Sequence, residues 1–454
     1  MITVKKYIQN FKGNILIAIV LLALPIASCK KFVTEDIPNN QLFASAIFQD
    51  SNSLTAALNG VYATISSINN TFTQPSLFAD ELTSTNTGGL DFYAQNNSYT
   101  QDQDFGFFGY YYSAIYQANA ILLGIDNATS LPVSLRNQVK GECLFLRAFS
   151  YFQLVNFYGG VPLIKVTDPN VTATIGNSSA AIVYQSIIAD LTTAATLVPN
   201  TYAVADRTRA NLQTVNALLA KACLYTQNWA NAETAATAVI GSGLYTLPSD
   251  LNTVFVSTGT ETIWQWWNQQ GYSIGINYVP FTTSFITYAA RPGLVNAFDA
   301  TDRRKNTWLQ AGTGTAASTY YPYKWKLRTT TTGKIEYMIQ LRLGEIYLIR
   351  AEARAQQNNL TGGLADLYMT RNRAGLTQPL SITTSAQLLD AVAQERRKEL
   401  MFEAGNRWFD LNRTGQMVSV ISAIKPNIDT HLSLLPFTRT TLLNNANLKQ
   451  NPGY

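Results

Sequence analysis

Imidazole and thiol groups are scarce in this chain: its 454 residues include one histidine, His431, and three cysteines. A single imidazole leaves a Ser-His-Asp arrangement one possible base, and no Gly-x-Ser-x-Gly elbow accompanies it. No Cys-x-x-Cys pair occurs, so a zinc site has no ligand set to draw on. Two of the cysteines, Cys143 and Cys223, stand inside apolar helical patterns. Two thiols cannot staple a chain of this length, and both are expected to be free and buried. Phosphate-cradling motifs are missing too, whether a Walker A loop or a Gly-x-Gly-x-x-Gly after a strand, so no cofactor is implied. The run Asp102-Gln103-Asp104-Phe105-Gly106 begins like a calcium loop but lacks the terminal glutamate, and no metal is expected there. Charged residues make up only 13% of the chain, and Asn, Gln, Thr and Ser fill the polar positions. With neither a basic stripe nor an acidic tail, nucleic acid is not an expected partner.

The only long apolar run, Ile15 to Ile26, is about a dozen residues against the roughly 20 of a membrane-spanning helix. It follows Lys5, Lys6 and Lys12 and precedes small residues, which is the order of a secretory signal. Ile26-Ala27-Ser28-Cys29 then looks like a bacterial lipobox, with cleavage before Cys29 and a diacylglycerol on its thiol. An ordinary signal peptide with an incidental cysteine is the alternative. Residues 1–28 are thus expected to be a signal peptide, 29–50 a lipid-anchored tether, and 51–454 a single domain held to a bilayer rather than threaded through it. Losing three lysines with the signal takes the formal charge from +5 to near +2.

Apolar spacing predicts a mainly helical fold. Leu54, Ala57, Leu58, Val61, Ile65 and Ile68 share one helix face, and further helices are expected over 107–125, 135–157, 181–197 and 215–227. Small residues from Ala217 to Val239, and again over 344–374, predict closely packed antiparallel helix pairs of the tetratricopeptide type. Such pairs are expected around 107–241 and 344–413. Helical periodicity fades in two zones, 71–105 and 243–338, where a strand is expected from Glu261 to Trp267. Long loops on a rigid scaffold usually carry function, so a ligand is expected at these zones.

Glu395, Glu399 and Glu403 fall at i, i+4 and i+8 on one helix face, and paired carboxylates can hydrolyse glycosides. Arg396, Arg397, Arg407 and Arg413 stand beside them in sequence, however, and arginine keeps a carboxylate ionised, which is wrong for a general acid. An ion-paired helix junction is the better account, and Glu345 and Glu352 with Arg342 read the same way; no catalytic residue is assigned. The aromatic residues are the positive signal. A saccharide ring offers apolar C–H faces and a rim of hydroxyls, matched by flat rings beside amides. Phe92, Tyr93 and Tyr99 near Asn96, Asn97 and Gln101, and Trp267, Tyr272 and Tyr278 near Asn268 to Gln270, supply that mixture. Six of them (Tyr93, Asn96, Tyr99, Trp267, Tyr272, Tyr278) are taken as the candidate ligand-binding set. Core packing is the alternative for each ring, and it is favoured for Trp264 and Trp266.

Four blocks together resemble the SusD/RagB family. They are Arg147-Ala148-Phe149-Ser150-Tyr151-Phe152 with Tyr158-Gly159-Gly160-Val161-Pro162-Leu163; Arg342-Leu343-Gly344-Glu345 through Ala353; Glu395-Arg396 through Arg413; and the tail Leu435-Pro436 with Gln450 to Tyr454. Gly344 replaces the family's common alanine, and Phe437-Thr438 stands where an Ile-Pro pair is common. The resemblance implies a SusD-like helical lipoprotein on the outer face of the outer membrane. It would capture a glycan and deliver it to a SusC-like TonB-dependent transporter. Peptide capture by a RagB-like member, a secreted glycoside hydrolase and a pure assembly scaffold are the alternatives.

Overall fold

Asp50 opens the first helix by accepting the backbone N–H groups of Asn52 and Ser53, both at 2.9 Å, which satisfies donors that a helix start leaves orphaned. The computed structural model describes residues 46–68, 72–271, 275–329, 334–425 and 428–454; the signal segment, Cys29, most of the tether and Tyr272 lie outside the described residues. The first helix, α1 (Ser51–Ser66), buries Leu54, Leu58, Val61 and Ile65. Two short helices follow, α2 (Thr73–Phe78) and α3 (Gly89–Asn96), in a zone expected to be loop. Then come α4 (Phe107–Ile125), α5 (Val133–Tyr158) and α6 (Ala180–Ala195). Every residue of α5 from Gly141 to Val155 is buried, as expected of a central helix covered on all sides. Arg147 of α5 binds Asp190 of α6 through two 2.8 Å hydrogen bonds and Asn119 of α4 through a third, clamping three helices at one guanidinium.

Next, α7 (Leu212–Tyr225) and α8 (Trp229–Gly241) form one antiparallel hairpin, and α9 (Leu343–Gln356) and α10 (Leu360–Arg373) form another. Their turns are built alike. Gln227 and Asn358 both take left-handed backbone, at φ 58° and 60°, and the following Asn228 and Asn359 return N–H bonds to Cys223 and Arg354 at 2.9 and 2.8 Å. That helix-ending bond pattern, used twice, is the repeat signal that the small residues hinted at. Within the second pair, Gly363 brings α10 against the carbonyl of Ala351, which a Cβ would meet at 3.1 Å. The last large helices are α11 (Ser385–Glu399), started by a Thr384/Gln387 capping box, and α12 (Asn406–Arg413). Cys143 and Cys223 are both free and buried. No helix among the described residues is long and apolar enough to cross a membrane.

Short antiparallel pairs join distant parts of the chain. The four strands that matter are β1 (Leu82–Ser84), β2 (Thr262–Trp266), β3 (Tyr288–Ala290) and β4 (Met338–Arg342). β1 pairs with β3, Leu82 opposite Ala290; β2 pairs with β4, Thr262 opposite Arg342. Both faces of β2 are buried, so Ile263 and Gln265 lie inside together with Trp264 and Trp266.

Beneath the β2–β4 pair lies a buried ionic core. Arg342 reaches Glu261 at 2.6 Å and Glu403 at 2.7 Å. Arg304 reaches Glu395 at 2.6 Å and Glu399 and Asp302 at 2.8 Å, Arg373 joins Glu261 to Glu399, and Lys324 binds Glu403. Burial alone pushes the Glu399 carboxyl up, but Arg373, Arg342, Arg304 and Lys324 outweigh it and hold the group far below the usual carboxylate range. The expected ion-paired junction is therefore present with different partners. Arg396 instead pairs with Asp410, Arg397 and Arg407 with Asp80, and Arg413 with Glu352 and Asp410. Glu345 is held by Lys221 at 2.8 Å, not by Arg342. The reason is reach: neighbours on a helix diverge around its axis, while these carboxylates meet Arg342 of β4, Arg373 of α10 and Arg304 of the short helix Arg303–Trp308.

A second buried group fixes the start of β1. Lys425 donates to the carbonyls of Leu77 and Phe78 and to Asn97 Oδ1 at 2.6–2.9 Å, closing the end of α2. Glu81 accepts the Ser76 hydroxyl at 2.8 Å and the Phe402 N–H at 3.1 Å, while its own carbonyl takes the Arg291 N–H at 2.8 Å. Burial, helped by the charge of Asp80, raises its carboxyl to about 7.

Two outcomes follow for stability. Glu399→Ala leaves three arginines facing fewer carboxylates in a dry interior and should lower the unfolding free energy by about 3–5 kcal/mol in urea denaturation. Glu81 titrates the opposite way from a salt-bridged acid. Its raised value favours folding fully below about pH 4.5, and that contribution is lost as pH rises through about 7. Relative to Glu81→Gln, the wild type should therefore lose about 3 kcal/mol between pH 4.5 and 7.5; parallel curves for the two chains would contradict it.

Candidate ligand-binding surface

The two loop-rich zones meet at the β1–β3 pair. Below it, Asp80 is clamped by Arg407 at 2.7 Å and Arg397 at 2.8 Å, and the Arg291 Nε donates to the Leu82 carbonyl at 3.0 Å. Above it sits Asp91, in the first turn of α3, where a carboxylate suits the positive end of a helix. Asp91 accepts from the Tyr288 hydroxyl at 2.6 Å and from Asn86 at 2.7 Å. One carboxylate therefore locks α3, the loop after β1 and the start of β3 into a single surface.

That surface carries rings and amides. Phe92 is exposed and meets Tyr93 edge-on at 5.7 Å. In the segment leading into β3, Phe281 is 91% and Phe285 65% exposed. The Arg328 guanidinium lies 3.6 Å from the centre of the Phe281 ring, and it also donates to the Ile276 carbonyl at 3.0 Å. Asn96 is exposed, and its side-chain N–H binds the Phe92 carbonyl at 2.8 Å. Open apolar rings rimmed by polar groups mark a recognition surface, and these rings stand on bonded elements.

Of the six candidate residues, Tyr93 (half-buried) and Asn96 belong to this ridge. Two others are corrected. Tyr99 is buried, its hydroxyl on the Leu432 carbonyl at 2.6 Å and its ring against Phe78 at 5.3 Å. Tyr278 is buried too, packed edge-on against Tyr288 at 5.9 Å, so it supports the ridge from inside. Neither ring has a face left for a sugar. Tyr272 lies outside the described residues. Trp267 is half-exposed but belongs elsewhere, in a cleft of about 420 Å³ with Trp266, Tyr62, Asp206 and Arg209. Sequence reading passed over Phe281, Phe285 and Tyr288, although the Pro280-Phe281-Thr-Thr-Ser-Phe285 run inside a loop zone is the kind of signal that marked Tyr93.

The other chemistry considered from sequence is occupied by structure. Glu395, Glu399 and Glu403 are sealed in the ionic core. Asp102 pairs with Arg439 at 3.0 Å, and Asp104 takes the Gly106 N–H at 2.7 Å.

Comparison with known proteins gives a consistent neighbourhood. A family model described as starch-binding associating with outer membrane matches residues 31–224, and the SusD family model matches residues 263–454. SusD-like protein P2 of Formosa agariphila is 26% identical, with 96% of this chain and 99% of that one aligned. A SusD superfamily protein from Parabacteroides distasonis superposes with a TM-score of 0.78 at 21% identity, over 91% of this chain and all of its own. A laminarin-binding SusD-like protein superposes at 0.77 and 22% identity, over 89% of this chain and all of its own.

Proposed function

The chain belongs to the SusD family, and on that premise we propose that it captures a glycan on the ridge formed by α3 and the segment entering β3. In this reading Cys29 carries the lipid that anchors the protein at the outer membrane. The bound glycan passes, uncleaved, to a SusC-like TonB-dependent transporter. The observation that carries the proposal is the set of exposed rings on the two zones that the β1–β3 pair joins: Phe92 with Tyr93 and Asn96 on α3, and Phe281 and Phe285 in the segment entering β3, with Asp91 bonded to Tyr288 between them. Flat rings stack on the C–H faces of pyranoses, and amides meet their hydroxyls. Family membership supports a carbohydrate ligand, and the laminarin-binding relative supports a glucan among the candidates. The sunken carboxylates support binding without turnover, because Glu399 and Glu403 are buried out of reach of a substrate and the cations around Glu399 hold it ionised.

The test is isothermal titration of the soluble chain, starting after Lys31, against laminarin, starch and a panel of other glycans and peptides. At least one glycan should bind saturably and be recovered at its original length. Replacing Phe92, Tyr93 and Phe285 together by alanine should weaken it by at least about tenfold, or 1.4 kcal/mol, with an unchanged melting temperature. Binding confined to peptides, shortened glycan products, or full affinity in the triple variant would each end the proposal.

A further inference from the structure

The Trp267 cleft is separate from the ridge. Its lining comes from α1 (Asn59, Tyr62, Ala63 and Ser66), from segment 204–209 and from the end of β2; among the described residues, none comes from α3 or from 281–288. Trp267 is the first side chain past the β2–β4 pairing. It is 50% exposed, whereas Trp266 beside it is 3% exposed and forms part of the wall.

The walls are built to hold their shape. Segment 204–209 is tied to β2 by the Trp264 indole N–H on the Thr208 carbonyl at 3.0 Å and by Gln265 on the Asp206 carbonyl at 2.7 Å. Arg207, between the lining residues Asp206 and Thr208, is kept at a positive φ of 58°, its side chain reaching back to the Thr262 carbonyl at 2.5 Å. On the α1 side, the Tyr62 hydroxyl donates to Glu142 at 2.7 Å and accepts the Ala210 N–H at 2.9 Å.

The chemistry of the cleft selects its occupant. Arg209 spends two donors on Glu142, at 2.6 and 2.9 Å, so no bare cation waits for a phosphate or carboxylate. What remains open is an indole face, the Asn59 amide and Asp206, which gives one oxygen to the Thr208 N–H and hydroxyl at 3.1 and 2.7 Å and leaves the other free. A flat ring with a neutral amide and an acceptor at its edge fits a neutral pyranose. The volume of about 420 Å³ suits a short stretch of sugar, not a long one.

We propose that this cleft is a second saccharide site, engaging another unit of a glycan held on the ridge, so that the protein prefers polymers to short oligomers. The inference rests on the glycan-capture reading above and deepens it. Two linked weak contacts raise apparent affinity without any new chemistry, because the second event becomes intramolecular.

The test titrates the soluble chain with laminarin and laminaritriose, and in parallel with starch and maltotriose. One polymer should bind at least about tenfold more tightly than its trimer. Trp267→Ala should abolish that advantage while leaving trimer affinity and melting temperature unchanged, and Trp267→Phe should retain most of it. A polymer curve unaltered by Trp267→Ala removes the second site and leaves capture on the ridge standing. Loss of trimer and polymer binding together in Trp267→Ala reduces the protein to a single site and also overturns the inference. A wild-type chain that binds neither polymer removes the inference together with the glucan-capture reading beneath it.

Discussion

Glu399 is the atom-scale centre of this protein: its carboxylate meets Arg304, Arg342 and Arg373, three residues from three separate stretches of chain. Around it, Glu261, Asp302, Glu395 and Glu403 complete a set in which every charge has an opposite neighbour. Ions taken out of water cost several kcal/mol each, and only near-complete pairing repays them. The arrangement therefore tolerates one assembly of strand, loop and helix and penalises others. Gly344 follows from it. A Cβ there would fall 2.6 Å from a Glu261 oxygen, and the Gly344 N–H instead donates to that carboxylate at 3.0 Å. Trp308 covers the same cations, with Lys324 4.5 Å from its ring centre.

The ionic core also sets what the surface can do. It fixes β4 through Arg342 and the approach to β2 through Glu261, so Trp267 emerges from the end of a strand that cannot shift. The ridge is held by a parallel device. Lys425 closes α2, Asp80 and Glu81 fix the residues before β1, and Asp91 bridges to Tyr288. In both places charges satisfied by backbone groups or by opposite charges help the surrounding buried rings to hold a loop. Rings presented this way lose little freedom on meeting a ligand, which conserves the modest energy that stacking supplies.

Helices were legible because their apolar residues recur every three to four positions. The reading of 107–125 coincides with α4, and that of 215–227 lies within three residues of α7 at each end. The ion-paired character of Glu395, Glu399 and Glu403 was legible from the surrounding arginine-rich sequence; their true partners were not, since Arg304 and Arg342 lie tens of residues away. The β1–β3 pair was invisible for a related reason. Three-residue strands carry no alternation to detect, and their partners stand about two hundred residues apart. Contacts between distant stretches likewise decide which aromatic residues of the loop zones are covered. Tyr93 and Tyr99 look alike in sequence, yet one lies on the ridge and the other is closed off by the Leu432 carbonyl and the C-terminal Tyr454. Alternation and periodicity report on local faces only, and a loop zone has neither.

Composition ties these observations together. Few residues are charged, and many of those are spent on interior pairs, so the polar part of the exterior consists largely of amides and hydroxyls. Such a surface attracts no ion atmosphere worth displacing, and contacts made on it depend little on ionic strength. Rings and amides suit the proposed capture, because each stacked contact is small and readily exchanged. Capture followed by intact release, as proposed above, needs many such contacts of low individual strength. The strong interactions are all inside, where they hold the shape; the weak ones are outside, where they can be exchanged.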